Sequence, residues 1–574
     1  MRFFRFGPEF RPAWRLGIAD IIILLALLGV LYVGVRMAIS APAIISGPKI
    51  SLSFWALPWY TLLSVGRMFA AYILSLLFTL IYGYTAAHNR TAEKVLMPLL
   101  DVLQSVPILS FLPVVLLSLS SVLPAGLAAE LAAIALIFTS QAWNMTYSFF
   151  QSIRTVPREL QEASAVFRLG PWLQFRKVEL PFAAVGLIWN SIMSWAGGWF
   201  FLMASEIFTV GERDFRLPGI GAYLQTAASE GNANAIIAGI ITLIATIVVL
   251  DRVVWRPILA WAEKFKVETV TGEKMPSSMV YDLLSRSWIF EKFIYRGVDP
   301  LLEWIDDRMA RGRTRSLAYS SPSLRRSRYF CLWILGITLG LFSAWGAYRT
   351  VSMLILLETQ DWLAIGLGTF ATFLRVAASL FLALVWTVPT GVAIGTNRRL
   401  ADLLQPIVQI AASVPATALF PVLLMGLAQK PGGMNIAAIL LMLMGSQWYL
   451  LFNTIAGTTA IPQDLRHTTA LLRLSRRERW KNLILPALFP YLVTGSITAT
   501  GGAWNASIVA EHAQFGGHTH TTTGIGSLIA MATARGNYPL LLASTIALVL
   551  VVVAINRFFW SRLYRVAEER YRME

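Results

Sequence analysis

Ser105-Val106-Pro107 recurs as Ser413-Val414-Pro415, 308 positions on. From there the chain goes on repeating itself in order. Val156-Pro157 returns as Ile461-Pro462, Leu180-Pro181 as Leu485-Pro486, and Gly219-Ile220-Gly221 as Gly524-Ile525-Gly526, each 305 positions on. The offset changes by only three residues, between Pro107 and Trp143. A repeat this long is two copies of a whole domain, not a solenoid of short units.

Composition sets the solvent. The 574-residue chain is 56% hydrophobic and 14% charged, with mean hydropathy +0.62, where a soluble domain carries roughly 25% charged residues. The apolar residues fall in runs of about 20, each enough to cross roughly 30 Å of hydrocarbon. Spans are expected at 18-38, 59-87, 99-119, 126-150, 182-210 and 233-255, and again at 329-347, 364-395, 405-427, 434-457, 487-510 and 539-559. A large soluble helical protein is excluded, because twelve such runs would have no aqueous face. The expected fold is all-α and integral to the membrane: a tandem duplication of a six-helix unit, about 12 transmembrane helices, with parallel pseudo-two-fold halves.

Charge sets the expected orientation. The net charge is +17, and the basic residues cluster at the N-terminus (Arg2, Arg5, Arg11, Arg15), in a central stretch (Arg308 to Arg328) and at the C-terminus (Arg557 to Arg572). Short basic flanks stay cytoplasmic, and six spans between successive clusters let all three do so. The positive charge flanks spans, which argues against nucleic acid as partner. The first apolar run lacks a short core followed by a small-residue cleavage site and reads as a retained helix, not a signal peptide.

Two six-span membrane units are therefore expected, 1-257 (core 59-257) and 329-574 (core 364-560), joined by a basic cytoplasmic linker, 258-328. The linker reads as a tether between halves that could otherwise be separate subunits. The single cysteine, Cys331, excludes an intrachain disulfide and any cysteine-based metal site.

The loop between the fourth and fifth spans is the most informative segment. Pro157 suits a helix start. Glu159 and Glu162 fall in the first turns, where the helix dipole favours acids. Ala163 and Ala165 allow close approach, and Gly170 is expected to end the helix in a left-handed conformation. About ten helical residues, roughly 15 Å, would form a rigid knob able to pass force into a fifth span beginning near Pro181.

Glu162-Ala163-Ser164, Gly170 and Leu180-Pro181 resemble the EAA loop of permease subunits from bacterial ABC importers. The second copy keeps Pro462, Asp464, Ala470 and Leu485-Pro486, but has His467 for the glutamate and Ser475 for the glycine. The paired Gly-Ile-Gly segments, with Asn89-Arg90 and Asn397-Arg398, extend the resemblance, which is closest to permeases of the nitrate, sulfonate and bicarbonate type. It implies a binding-protein-dependent importer of the bacterial inner membrane, with both loops docked on a cytoplasmic ATPase dimer that binds ATP and Mg. It further implies a periplasmic or lipid-anchored solute-binding protein, alternating access, and a small anion as solute. No G-x-x-x-x-G-K-[ST] loop occurs in the chain, so no nucleotide cofactor and no enzymatic activity of its own are expected.

The fifth spans are the expected pathway. One carries Asn190, Ser194, Gly197, Gly198 and Trp199; the other carries Thr498, Gly501, Gly502, Trp504 and Asn505. Polar groups facing lipid are costly and should turn inward, although small residues also serve plain helix packing. Trp199 and Trp504 align and read as gate residues or interfacial anchors. Glu206 and Glu511 align near the outer helix ends, as gate caps or contacts to the binding protein. Arg67 and Arg375 align within the second spans, and snorkelling to the interface is favoured over binding an anion. Glu511, His512, His518 and His520 have spacing that could hold a metal, but an outer loop is the preferred reading and no metal site is assigned. Two other classes remain: an ion-coupled secondary transporter, disfavoured by the scarcity of central carboxylates, and a membrane enzyme, for which only the histidine segment speaks.

Overall fold

The computed structural model describes residues 18–265 apart from 41, 43–44, 106 and 211–212. It describes residues 279–308 in part, and 322–570 apart from 428–429, 460, 462–464, 466–467, 470 and 516–517. The first half consists of α1 (Ile18–Ala38), α2 (Leu57–His88), α3 (Arg90–Ser105), α4 (Leu112–Ser120), α5 (Ala125–Arg154), α6 (Arg158–Val166), α7 (Pro171–Glu206), α8 (Ile220–Ser229) and α9 (Ala233–Ala262). A short helix, α10 (Met279–Ser285), lies in the linker. The second half repeats the order: α11 (Pro322–Leu354), α12 (Thr359–Thr396), α13 (Arg398–Ser413), α14 (Ala416–Leu427), α15 (Gly433–Thr459), α16 (Arg476–Glu511), α17 (Ile525–Ala534) and α18 (Tyr538–Ala567). Two-stranded antiparallel hairpins follow the fifth spans, β1 (Thr209–Val210) with β2 (Arg213–Asp214) and β3 (His512–Phe515) with β4 (His518–Thr521).

Among the described residues, eight helices are long and apolar enough to cross a membrane, and a bent pair makes nine. They are α2, α5, α7 and α9 with α12, α15, α16 and α18. The first expected span of each half corresponds to α1 and α11. These cross so closely that a Cβ on Gly346 would lie 2.2 Å from the Gly29 Cα.

The third spans differ from expectation: 99-119 and 405-427 are not continuous helices. Ile407–Ser413 and Ala416–Leu424 meet at 77°. The cause is the repeated Ser-Val-Pro. Proline has no N–H and its ring drives the preceding residue out of the helical region, and Val414 is extended at φ −73°, ψ 117°. In the first half Pro107 is itself extended (φ −62°, ψ 112°), and a 3₁₀ turn, Ile108–Phe111, restarts the helix.

Local signals account for the other boundaries. The Asn89 Oδ1 accepts from the Thr91 and Ala92 amides, and the Asn397 Oδ1 from those of Arg399 and Leu400. The repeated Asn-Arg dipeptide is thus an N-cap that starts α3 and α13. Asn232 and Asn537 likewise cap α9 and α18. The main core lies between the halves, where Leu109 and Leu112 pack in one cluster with Phe420, Leu424, Ala503, Trp504 and Ile508.

Candidate functional site

The first loop helix, α6, starts after Pro157, which is extended at φ −54°, ψ 143°. Glu159, Glu162 and Ala163 are all exposed. So are the apolar Val166 and Phe167, at 79% and 76%, so this surface helix carries carboxylates beside bare apolar area. The expected role of Gly170 is corrected. The left-handed residue is Arg168, φ 49°, and the Leu169 amide closes the helix by donating to the Ser164 carbonyl at 3.0 Å. Gly170 is extended (φ −67°, ψ 161°) and stands immediately before Pro171, the start of α7.

The second loop shows why serine can replace that glycine. Arg473 repeats the left-handed turn at φ 50°. Ser475 is extended and forms a capping box with Glu478: the Ser475 Oγ accepts from the Glu478 amide, and the Glu478 carboxylate accepts from the Ser475 amide at 2.8 Å. A position that never enters the left-handed region does not require glycine. Pro462, Asp464, His467 and Ala470 lie outside the described residues. Leu471 and Leu472 around them are exposed at 83% and 65%.

Pro181 and Pro486 do not begin the fifth spans but lie inside α7 and α16. Each follows a wide π turn, Phe175–Glu179 or Trp480–Ile484, which accommodates the missing N–H. The helix leaving each loop is therefore continuous from its start to the far end of the fifth span, and a displacement of the loop is a displacement of that span.

Seven of the ten candidate pathway residues fall into two groups. Gly197, Trp199, Gly502 and Asn505 line a cavity of about 480 Å³ between the halves. Asn190, Ser194 and Gly198 instead pack α7 on α5. The Asn190 Nδ2 donates to the Ser148 Oγ at 2.8 Å, the Asn144 Nδ2 to the Ser194 Oγ at 3.4 Å, and a Cβ on Gly198 would sit 2.7 Å from the Gln141 Nε2. Trp199 and Trp504 are each only 1% exposed, so interfacial anchoring is overturned; Trp504 sits in the core between the halves. Thr498 and Gly501 lie on an open face of α16.

Sequence reasoning missed how Arg67, Arg375, Glu206 and Glu511 are used. They neither snorkel nor cap an open gate: the two glutamates are fully buried, and each joins the arginine of its own half. The Arg67 Nη1 donates to the Glu206 Oε1 at 2.8 Å, as does the Ser64 Oγ at 2.6 Å, while the Gly221 amide donates to Oε2 at 2.7 Å. The second half repeats this with Arg375 at 2.8 Å, Thr372 at 2.6 Å and the Gly526 amide at 2.9 Å. The Gly-Ile-Gly motif is thereby explained. A Cβ on Gly219 would lie 2.3 Å from the Glu206 carboxyl, and one on Gly524 2.1 Å from that of Glu511. Only glycine lets the start of α8 or α17 close over the carboxylate. The clasp ties the second span, the fifth span and the short helix together, and a co-repeating Arg, Glu and Gly-Ile-Gly was its signal in the sequence.

The clasps differ at one position. Arg67 also forks onto Glu130, Nε and Nη2 each at 2.7 Å. At the equivalent position Arg375 meets Asn435, at 3.1 and 2.7 Å. Glu511 is committed to Arg375, and no group of three or more His, Cys, Asp or Glu is placed to hold a metal among the described residues. The His518 side chain lies outside the described residues.

Residues 75–254 and 380–573 each match the family described as binding-protein-dependent transport system inner membrane component. The chain belongs to this family. Two matched segments in one chain make it a tandem duplication of this permease domain. It is similar to the nitrate import permease protein NrtB of Synechocystis sp., 32% identical over 147 residues, which is 26% of this chain and 52% of that one. It is also similar to the bicarbonate transport system permease proteins CmpB of Synechococcus elongatus (30% over 190 residues; 33% of this chain, 65% of the relative) and of Synechocystis sp. (34% over 192 residues; 32% and 67%). The chain thus spans between half and two thirds of the length of these relatives.

Proposed function

We propose that this permease forms both halves of the solute pathway of an ATP-driven importer, with small anions as solutes. A separate cytoplasmic ATPase dimer would drive it through the two loops, and a solute-binding protein on the outer side would deliver the solute. The termini and the linker would share the cytoplasm with the ATPase. The observation that carries the reading is the pair of loops: exposed in both halves, closed by left-handed arginines 305 residues apart, and each continuous with a fifth span. The relatives named for nitrate and bicarbonate support an anion. An ion-coupled secondary transporter is disfavoured, since Glu206 and Glu511 are engaged in ion pairs.

Membrane vesicles containing the chain and the ATPase that co-purifies with it test the proposal. Uptake should require ATP, and Glu162→Lys should abolish it while the chain stays in the membrane. ATP-independent uptake, or uptake unchanged by Glu162→Lys and by deletion of 158–166, would overturn it.

A further inference from the structure

The root of the first loop holds a buried carboxylate that belongs to neither clasp. Glu179 closes the wide turn Phe175–Glu179 of α7 and is 4% exposed. Its Oε1 accepts from the Gln174 Nε2 at 3.1 Å and faces the His88 Nε2 at 3.0 Å. Its Oε2 is buried and makes no hydrogen bond among the described residues. His88 ends α2, so the contact is a seam between the second span and the helix that leaves the loop.

Geometry sets the charge that suits this imidazole. The His88 Nδ1 faces the Tyr84 carbonyl at 3.1 Å, so both ring nitrogens meet acceptor oxygens. A neutral imidazole has one N–H and can serve only one of them, whereas an imidazolium donates to both. Tyr84 stacks on the ring at 4.1 Å between centroids and meets Phe175 edge-on, which restricts turning of the ring.

The second half builds the same seam without charge. Gln174 and Glu179 correspond, 305 residues on, to Arg479 and Ile484; Tyr84 and His88 correspond, 308 on, to Val392 and Thr396. Val392, Ile484 and Leu488 form one buried cluster with Trp480 packed against it. The Thr396 Oγ1 donates back to the Val392 carbonyl at 2.7 Å, and Arg479 is exposed. An apolar seam is indifferent to pH, but one closed by a histidine is not.

The charges around the first seam are otherwise engaged or in solvent. Arg176, on the same turn, pairs with Asp306 of the linker, and Lys177 and Arg90 are exposed. Glu93 of α3 pairs with Arg154 of α5 at 3.6 Å, and α5 presents Phe149 and Ile153 to Tyr84 and Phe175. His88 is therefore the group here whose charge changes near neutrality.

We propose that His88 and Glu179 form a proton-operated joint at the first loop. With His88 charged, the end of the second span and the root of the loop move as one body. Loss of that proton strands the buried carboxylate without its cation, and the first loop then passes its displacement on less fully. The second loop, seated on the apolar seam, is unaffected. This rests on the transport reading above and adds a regulation to it: acid on the loop side engages both loops, and alkali leaves the second as the main drive.

A double-mutant cycle at two pH values tests the joint. The unaltered full-length chain, His88→Thr, Glu179→Gln and the double variant are melted in one detergent at pH ~6 and ~8.5, where an ordinary imidazole is about 75% and about 1% protonated. The coupling between the two positions should be at least about 3 °C in melting temperature at the lower pH and vanish at the higher. Coupling that is equal at both, or absent from both, would overturn the joint, and this readout needs no ATPase. His88→Arg keeps a cation at either pH and serves if a cycle member does not fold: its melting temperature should fall less between the two pH values than that of the unaltered chain, and an equal fall would overturn the joint. In vesicles with the co-purifying ATPase, uptake by the unaltered chain relative to His88→Arg should drop at least about twofold over the same rise in pH on the ATPase side. A constant ratio would overturn the regulation. Uptake without ATP by both chains would overturn the transport reading instead and leave the melting result standing.

Discussion

Replacing Arg375 with methionine strands the Glu511 carboxylate. That carboxylate is fully buried and would keep only the Thr372 hydroxyl at 2.6 Å and the Gly526 amide at 2.9 Å. Removing one partner of a buried ion pair costs about 3–5 kcal/mol, because the remaining charge is left without its counter-ion. One kcal/mol moves the melting temperature of a domain of this size by roughly 2–4 °C. Arg375→Met should therefore lower the melting temperature of the purified chain by roughly 6–20 °C. Arg67→Met strands Glu206 and also frees Glu130, whose side chain is 37% exposed. An exposed carboxylate rehydrates, so the extra loss should stay within about 1 kcal/mol. The double variant Arg375→Met with Glu511→Gln removes both charges while keeping an acceptor for the Gly526 amide, and should regain most of the loss. Thermal unfolding of the four chains in one detergent decides the matter. A shift below about 2 °C for Arg375→Met, or a double variant less stable than the single one, would refute the reasoning.

Gly524→Ala should destabilise by about 1–3 kcal/mol, since the new methyl would overlap the Glu511 carboxylate. Gly501→Ala, where a Cβ meets nothing within 4 Å, should leave the melting temperature unchanged. The linker should be held at the root of the first loop, where Asp306 pairs with Arg176 and accepts from the Trp172 Nε1 at 2.8 Å. Partial burial alone would raise the Asp306 pKa, but the Arg176 and Trp172 hydrogen bonds outweigh it and hold the carboxyl below the usual range. The contact should thus persist at neutral pH and be lost as pH falls through that lowered value. Limited proteolysis should cut the linker faster in Asp306→Asn than in the unaltered chain at pH 7, and equal rates would count against the anchor.

Much was legible in the linear order of residues. Runs of apolar residues, the 305-residue offset and the loop bearing Glu162 identified a duplicated membrane permease, because hydropathy and repetition are properties of the chain itself. The Asn-Arg and Ser-Val-Pro dyads and triads were visible as repeats, but their effects were not. That Asn89 and Asn397 cap helices, and that Pro107 and Pro415 break the third spans, required the backbone. Gly170 was read as a left-handed stop because glycine often takes that place. The helix instead closes two residues earlier at Arg168, where the hydrogen bond from the Leu169 amide to the Ser164 carbonyl sets the conformation.

Sequence alone determined the solvent, the duplication and the position of the loops, since each depends on residue type and spacing along the chain. Only the tertiary structure decided that Arg67 and Glu206, 139 residues apart, form one buried clasp, and which face of each fifth span turns toward the other half. Those are questions of which distant groups meet once water is excluded. A charge in a membrane helix can be neutralised by lipid headgroups, by solvent or by an opposite charge, and its identity does not say which of these the fold brings within reach.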